Sequence, residues 1–306
     1  MPKLLLLGGS GFLGRHLLRS LRNDAETFAV VRSPRGAEKI RAASPATRIV
    51  TIEEASSLRF DRIFNLVADY GRGGAPLARL LGPNLLYPLE MLEAVEAEAV
   101  LNVSTALPPN YSNYARSKKL LEQALTHLEE RTGRRFINVH LHNMYGPGGE
   151  PAELVGFVIA RMLAGSPVEV SDGRNSRDFI FVDDAVAALN VLSTGADALS
   201  PGAPVEVGSG RSVRLRDVVL LLGELTGSTS ELRFGAKPGN PFEPDRLAAD
   251  VGPLRRLGWA PHHPLREGLK ATVAAALRGA RSGNAHAAGK DAEPACASTS
   301  ARRNNG

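Results

Sequence analysis

Residues 4–7 are four consecutive leucines, apolar on both sides of an extended chain, and such a run suits a central parallel strand covered by helices on each face. The run breaks at Gly8, after which Phe12, Leu13, Leu17, Leu18 and Leu21 recur at helical spacing. Residues 27–31 read as the next strand, completing a β-α-β unit. The rhythm continues with expected strands over 49–52, 62–68, 100–104 and 136–141, and with expected helices over 84–98 and from Tyr114 through Leu125. Strands that alternate with helices predict an α/β fold built on a doubly wound parallel sheet.

Beyond Pro151 the alternation loosens. A helix near 152–163, a short strand at 167–170, a strand at 177–182 leading into an alanine-rich helix, and a strand with a glycine turn at 204–210 are expected. A helix at 218–225, a proline-bounded loop at 238–244 and segments at 254–259 and 265–277 follow. The predicted organisation is a Rossmann-type nucleotide-binding part over 1–150, to which 177–210 returns. A smaller C-terminal substrate-binding lobe takes 151–176 and 211–278. Residues 279–306 are rich in Ala, Gly, Ser and Asn without apolar periodicity, and are expected to be a disordered tail.

Composition narrows the class. A chain of 306 residues with 43% hydrophobic content can bury a large core or two lobes. The net charge of +5 is modest, and Arg281, Lys290, Arg302 and Arg303 in the tail contribute to it. No dense basic stripe with interleaved aromatics is present, which discounts nucleic acid as a partner. The single cysteine, Cys296, excludes an internal disulfide and a cysteine-based zinc site, and fits a reducing compartment. The opening MPKLLLL is too short for a signal peptide's apolar region and no other run is long enough to span a bilayer, so no membrane association and a cytoplasmic location are expected.

The glycines carry the first chemistry. Gly8, Gly11 and Gly14 fall where a strand turns into a helix, in a G-x-x-G-x-x-G variant of the dinucleotide fingerprint. Gly8 suits the tight turn, Gly11 the close approach of a pyrophosphate, and Gly14 the packing of the helix on the sheet. Ser10, Phe12 and Leu13 complete the turn, and the free N–H groups of the helix start face the anion. About 20 positions on, where an acidic residue would hold a ribose 2′-hydroxyl, stand Arg32, Ser33 and Arg35, which suit a 2′-phosphate and so NADP(H) over NAD(H), with NAD(H) possible. The bland alternative is that both arginines are solvated loop charges. Ligands bind at the carboxyl ends of such strands, which draws in Val67, Ala68, the loop with Tyr70 and Arg72, and the hydroxyls of Ser104 and Thr105.

Tyr114 and Lys118 are four residues apart, so phenol and ammonium share one helical face. A nearby cation favours phenolate, so Lys118 is expected to lower the Tyr114 pKa and to hold cofactor hydroxyls. His140 and His142 alternate onto one face of a strand, but no third ligand is spaced to join them and no metal is expected.

Together these residues resemble the extended short-chain dehydrogenases/reductases of the NAD-dependent epimerase/dehydratase, nucleotide-sugar type. The resemblance spans 3–278 and rests on the glycine turn, Asn84, Ser104-Thr105, Tyr114 with Lys118, Asn143-Met144-Tyr145-Gly146-Pro147, Arg177-Asp178-Phe179, Asp183-Asp184 and Leu257-Gly258-Trp259. It implies a catalytic set of Thr105, Tyr114 and Lys118, with Ser104 in reserve. It also implies diphosphate contacts from Asn143 and Arg177, with Lys237 a weaker candidate, and a homodimer formed through a helix pair. Tyr70-Gly71-Arg72, Leu107-Pro108-Pro109-Asn110 and 206–210 resemble the CDP-paratose synthase-like members, which reduce a 4-keto group. The dehydratases of the family carry Thr-Asp-Glu where this chain has Thr105-Ala106-Leu107, which argues against loss of water. The expected activity is an NADPH-dependent 4-ketoreductase acting on a nucleotide-linked 4-keto-deoxyhexose. A nucleotide-sugar epimerase that retains its cofactor and a non-catalytic cofactor-binding scaffold are the alternatives.

Overall fold

The computed structural model describes residues 1–288 except 152, 196–197 and 200–201. The first half alternates β1 (Lys3–Leu7), α1 (Phe12–Ser20), β2 (Glu26–Val30), α2 (Pro34–Ala43), β3 (Arg48–Val50), α3 (Ile52–Ser56) and β4 (Arg59–Asn65). There follow α4 (Leu77–Leu81), a π-helical turn (Gly82–Leu86), α5 (Tyr87–Ala94), β5 (Glu96–Thr105), α6 (Asn113–Thr132) and β6 (Arg135–Leu141). The second half holds β7 (Asn143–Tyr145), α7 (Leu154–Leu163), β8 (Val168–Val170), β9 (Ser176–Phe181), α8 (Val182–Gly195) and β10 (Val205–Val207). It closes with β11 (Ser212–Arg214), α9 (Leu215–Thr226), β12 (Leu232–Phe234), α10 (Gly252–Arg256) and α11 (Leu265–Ala288).

Seven strands form one sheet in the order β3-β2-β1-β4-β5-β6-β10, and every neighbouring pair is parallel. The leucines of β1 divide as the pleat requires. Leu4 and Leu6 pack with Leu13, Leu17 and Leu18 of α1 and Leu189 of α8, whereas Leu5 and Leu7 pack with Leu92 of α5 and Leu121 and Leu125 of α6. The direction of winding reverses between β1 and β4, and the crevice at such a point, beyond the carboxyl ends, is where ligands bind. A third apolar cluster joins α7, α9 and α11 to β8 and β9.

Local chemistry moves several expected boundaries. The third strand stops at Val50 because Thr51 caps α3, its hydroxyl accepting from the Glu54 N–H while the Glu54 carboxylate accepts from the Thr51 N–H. The helix expected over 84–98 starts at Leu77, widens into the π turn at Pro83, which has no N–H to donate, and ends at Ala94 with an extended Val95 as its C-cap, so Glu96–Glu98 belong to β5. The last helix does not stop at Gly279 but continues to Ala288. The rest of the expected tail lies outside the described residues.

Two polar devices fix the catalytic edge of the sheet. Asn65, Asn102 and Asn138 form a ladder across β4, β5 and β6, each side-chain amide donating to the next carbonyl at 2.8 Å. In the second half, Asp178 is fully buried and accepts from the N–H groups of Ser209, Gly210 and Ala249, while Asp184 accepts from the N–H groups of His262 and His263. Asp178 and Asp184 therefore hold the returning segments in place through backbone N–H groups, while Asp183 pairs with His16 of α1 at 3.2 Å.

Helix α1 lies unusually close to the turn that precedes it. A Cβ on Gly14 would stand 2.6 Å from Gly9 Cα and 2.7 Å from Gly8 O, which is backbone and cannot swing aside. Gly14→Ala is therefore expected to destabilise the fold by about 1–3 kcal/mol, read as a lower urea midpoint with an unchanged slope.

Candidate active site

Where the chain reverses its winding, the strand ends enclose a cleft of about 990 Å³. Its floor is the turn before α1, and Gly8, Gly11, Phe12, Leu13 and Gly14 all line it. Gly8 has φ +80, and a Cβ there would press on the backbone of Leu66 and Val67 at 2.9 Å. Helix α1 has no side-chain cap on Gly11, so its first N–H groups are left for a ligand. Arg32 lines the cleft from the end of β2, with its guanidinium 5.4 Å from the centre of the Tyr87 ring.

The opposite wall carries two of the three residues expected to be catalytic. Thr105, at the end of β5, and Tyr114, in the first turn of α6, face the same space. Ser112 fixes the start of that helix by accepting from the Ala115 N–H, and the π turn meets it through Asn84. The Asn84 amide donates to Ser117 Oγ at 2.9 Å and to the Asp69 carbonyl at 2.9 Å, and its oxygen accepts from the Asp69 N–H at 2.7 Å. Lys118 lies behind Tyr114, 1% exposed, with Nζ donating to the Val67 carbonyl at 2.9 Å. Tyr70, Arg72, Asn143 and Arg177 complete the rim.

A glycine cradle, an uncapped helix start and a buried lysine against the strand ends suit a dinucleotide, and residues 4–208 match the NAD dependent epimerase/dehydratase family. The chain belongs to that family. It is thus an NAD(P)-dependent enzyme of the extended short-chain dehydrogenase/reductase type. The CDP-abequose synthase of Salmonella muenchen is 28% identical over 282 residues, covering 88% of this chain and 96% of that protein. The UDP-glucose 4-epimerase of Thermotoga maritima, solved with UDP-glucose, superposes with a TM-score of 0.77 at 25% identity, covering 91% of this chain and 99% of that one. The UDP-glucose 4-epimerase of Thermus thermophilus, solved with NAD, shares the fold with a TM-score of 0.76 at 23% identity, over 91% of this chain and 99% of that one.

Within this member of the epimerase/dehydratase family, several expected contacts fall elsewhere. Ser10, Val67 and Lys118 do not line the cleft; Val67 contributes through its carbonyl, which accepts from the Lys118 ammonium, 1% exposed beneath the surface of the cleft. Ser33 caps α2 by accepting from the Gly36 N–H at 3.2 Å, and Arg35 is exposed on that helix. Ser104 borders the cleft, but its hydroxyl donates to the Glu122 carboxylate, which removes it as an understudy for Thr105. Lys237 is absent from the cleft lining, because its ammonium sits 4.5 Å from the centre of the Phe157 ring. Arg177 is in place but engaged. It donates to the Ser176 and Pro244 carbonyls at 2.8 Å and to Glu243 at 2.5 Å. His140 binds Glu122 and Lys119, whereas the buried His142 ring makes no hydrogen bond and lies 3.7 Å from Glu206. Among the described residues no three His, Cys, Asp or Glu side chains converge as a metal site, and no helix is long and apolar enough to cross a membrane.

The electrostatics overturn one expectation. The helix-face pairing predicts that Lys118 draws the Tyr114 pKa down, yet burial, and then the nearby Glu153 carboxylate, push it well above the usual phenol value. Burial also weakens the cation itself, holding Lys118 at about 8. Beneath them Glu122 is held down at about 2, where hydrogen bonds from His140, Lys119 and Ser104 outweigh the cost of its burial.

Glu153, which the sequence patterns did not single out, stands at the N-terminal cap position of α7 and lines the cleft. Burial first, and then repulsion from Glu150, raise it to about 7, against opposing effects of Arg72 and Tyr70. Because a carboxyl whose folded pKa is raised destabilises the fold once it ionises, the penalty is absent below the unfolded value near 4.5 and grows until about pH 7. Glu153→Gln should therefore remove a loss of thermal stability that the wild type shows across that interval, measured by melting the ligand-free protein at a series of pH values.

Proposed function

We propose that the protein is an NADPH-dependent 4-ketoreductase acting on a nucleotide-linked 4-keto-deoxyhexose. One observation carries the reading. The cleft pairs Thr105 with Tyr114, and the residues after Thr105 are Ala106 and Leu107, which offer neither acid nor base. A neutral phenol beside a hydroxyl suits donation to a ketone oxygen, and with no acid or base after Thr105 the elimination of water is disfavoured. The similarity to a CDP-abequose synthase over most of both chains supports a CDP-linked deoxysugar as the substrate.

In this reading Tyr114 gives its proton to the C4 oxygen while the Thr105 hydroxyl hydrogen-bonds the same oxygen. The bound dinucleotide supplies the hydride. Lys118 holds cofactor hydroxyls and, through the Val67 carbonyl, fixes the edge of β4 on which the cofactor rests. Gly8, Gly11 and the start of α1 receive the pyrophosphate, and Arg32 receives the 2′-phosphate. Asn143 and Arg177 face the substrate diphosphate, for which Glu243 must release part of the Arg177 charge. Tyr70 and Arg72 border the sugar. The enzyme works in the cytoplasm as a homodimer.

The epimerase reading is favoured by the solved neighbours, which carry that name. Steady loss of NADPH absorbance on a 4-keto sugar nucleotide supports reduction. Isomerisation without net cofactor consumption supports the epimerase, and binding of cofactor without turnover of any sugar nucleotide supports a scaffold. Tyr114→Phe is expected to cut turnover by at least about 100-fold while NADPH binding, followed by fluorescence titration, stays near wild type. Arg32→Ala is expected to weaken NADPH by roughly tenfold, about 1.4 kcal/mol, and to leave NADH unchanged in the same titration.

A further inference from the structure

Thr105 ends β5, whereas Tyr114 and Lys118 belong to α6, so the placement of the threonine hydroxyl against the phenol depends on what fastens strand to helix. The Glu122 carboxylate does so. Glu122 follows Lys118 by four residues, as Lys118 follows Tyr114, which puts all three on one face of α6. The Ser104 hydroxyl, one residue before Thr105, donates to Glu122 Oε1, and the Lys119 ammonium donates to the same oxygen at 2.9 Å. His140 of β6, the register partner of Ser104, brings its Nε2 to 3.1 Å from Glu122 Oε2 and to 2.7 Å from Lys119 Nζ. Glu122 thus joins two neighbouring strands, near their carboxyl ends, to the helix that carries the tyrosine. The Thr105 oxygen itself accepts from the Leu107 N–H at 3.2 Å, which leaves its own proton for the cleft.

We propose that Glu122 is a positioning residue for the reaction: it holds Thr105 opposite Tyr114 through Ser104, and it supports the positive charge of Lys118 one helical turn away. The inference rests on the catalytic set of the reading above. Glu122 is absent from the cleft lining, so it acts through these neighbours and not on a ligand. Lys118 is 1% exposed with Nζ on the Val67 carbonyl, where a nearby carboxylate counts for more than it would at a wet surface. Glu122 acts to keep the ammonium, whereas burial and Lys119 act against it. The groups that face Glu122 are Ser104 of β5, His140 of β6 and Lys119 of its own helix. Beyond them Glu206 of β10 answers to both His140 and His142.

Charge and tether separate in three variants. Glu122→Gln keeps an oxygen for the Ser104 hydroxyl and removes the charge, Glu122→Asp restores the charge, and Ser104→Ala removes only the tether. NADPH binding is followed by fluorescence titration between about pH 7 and about pH 10, with no sugar present. Lys118 is held at about 8, and a lysine that loses a supporting carboxylate gives up its proton at still lower pH. The alkaline weakening of NADPH binding is therefore expected about one pH unit lower in Glu122→Gln, and at its wild-type position in Ser104→Ala and Glu122→Asp. A purely structural loss, read by thermal melting of each variant, does not move that position. With a 4-keto sugar nucleotide near neutral pH, Ser104→Ala is expected to lose roughly tenfold in kcat while KM stays within about twofold. No alkaline weakening in the wild type, an unmoved position in Glu122→Gln, or an unchanged kcat in Ser104→Ala overturns the proposal. The Ser104→Ala result decides alone if Glu122→Gln does not fold. Full activity in Tyr114→Phe would instead overturn the catalytic set on which the inference stands.

Discussion

A parallel sheet covered by helices on both faces has no wet surface except the ends of its strands. Leu5, Leu6 and Leu7 are each 0% exposed, and a polar side chain at any of these positions would lose its water without gaining a partner. Chemistry is therefore driven to the carboxyl edge, and within that edge to the point between β1 and β4 where the winding reverses. The asparagine ladder shows the same constraint from inside. Asn65 and Asn102 are buried near this edge, and they are tolerated because each amide is satisfied by the next strand.

The close approach of backbone to backbone at the first turn has a second consequence. With no Cβ on Gly8 or Gly14, α1 begins almost in contact with β1 and directs its unsatisfied N–H groups into the cleft. On the facing wall, α6 is held by Asn84 from the π turn, so Tyr114 is positioned by a helix whose own placement depends on a widened turn of another. Neither wall is a flexible loop, which suits a reaction that needs hydride and proton acceptors held at fixed distances.

The sheet was legible because its signals are local. The leucine run, the helical spacing after Phe12 and the glycines depend only on neighbours in sequence, and the parallel sheet followed from the α/β rhythm. Boundaries failed where a cap or a proline decided them, as at Thr51 and Pro83. In the site, Thr105, Tyr114 and the glycine turn were legible from their spacing and their places at strand and helix ends. The sequence patterns did not single out Glu153 because its partners Tyr70 and Tyr114 lie 83 and 39 positions away, and no periodicity brings such residues together. Lys237 was misplaced for the converse reason: a cation beside a proline-bounded loop invites a phosphate, and only the packed structure shows Phe157 beneath it.

The sign of the Tyr114 shift bears on how readily its proton is exchanged. A lysine four residues along the helix is expected to bring the phenol's pKa within reach of neutrality, so that its proton can be exchanged. Desolvation acts on both partners, however, weakening the Lys118 cation and the phenolate alike, and Glu153 adds a carboxylate to the tyrosine's side of the balance. The net field favours the neutral phenol. A phenol held this far above its usual pKa is the weaker acid, so a bound group that stabilises phenolate would ease the loss of its proton.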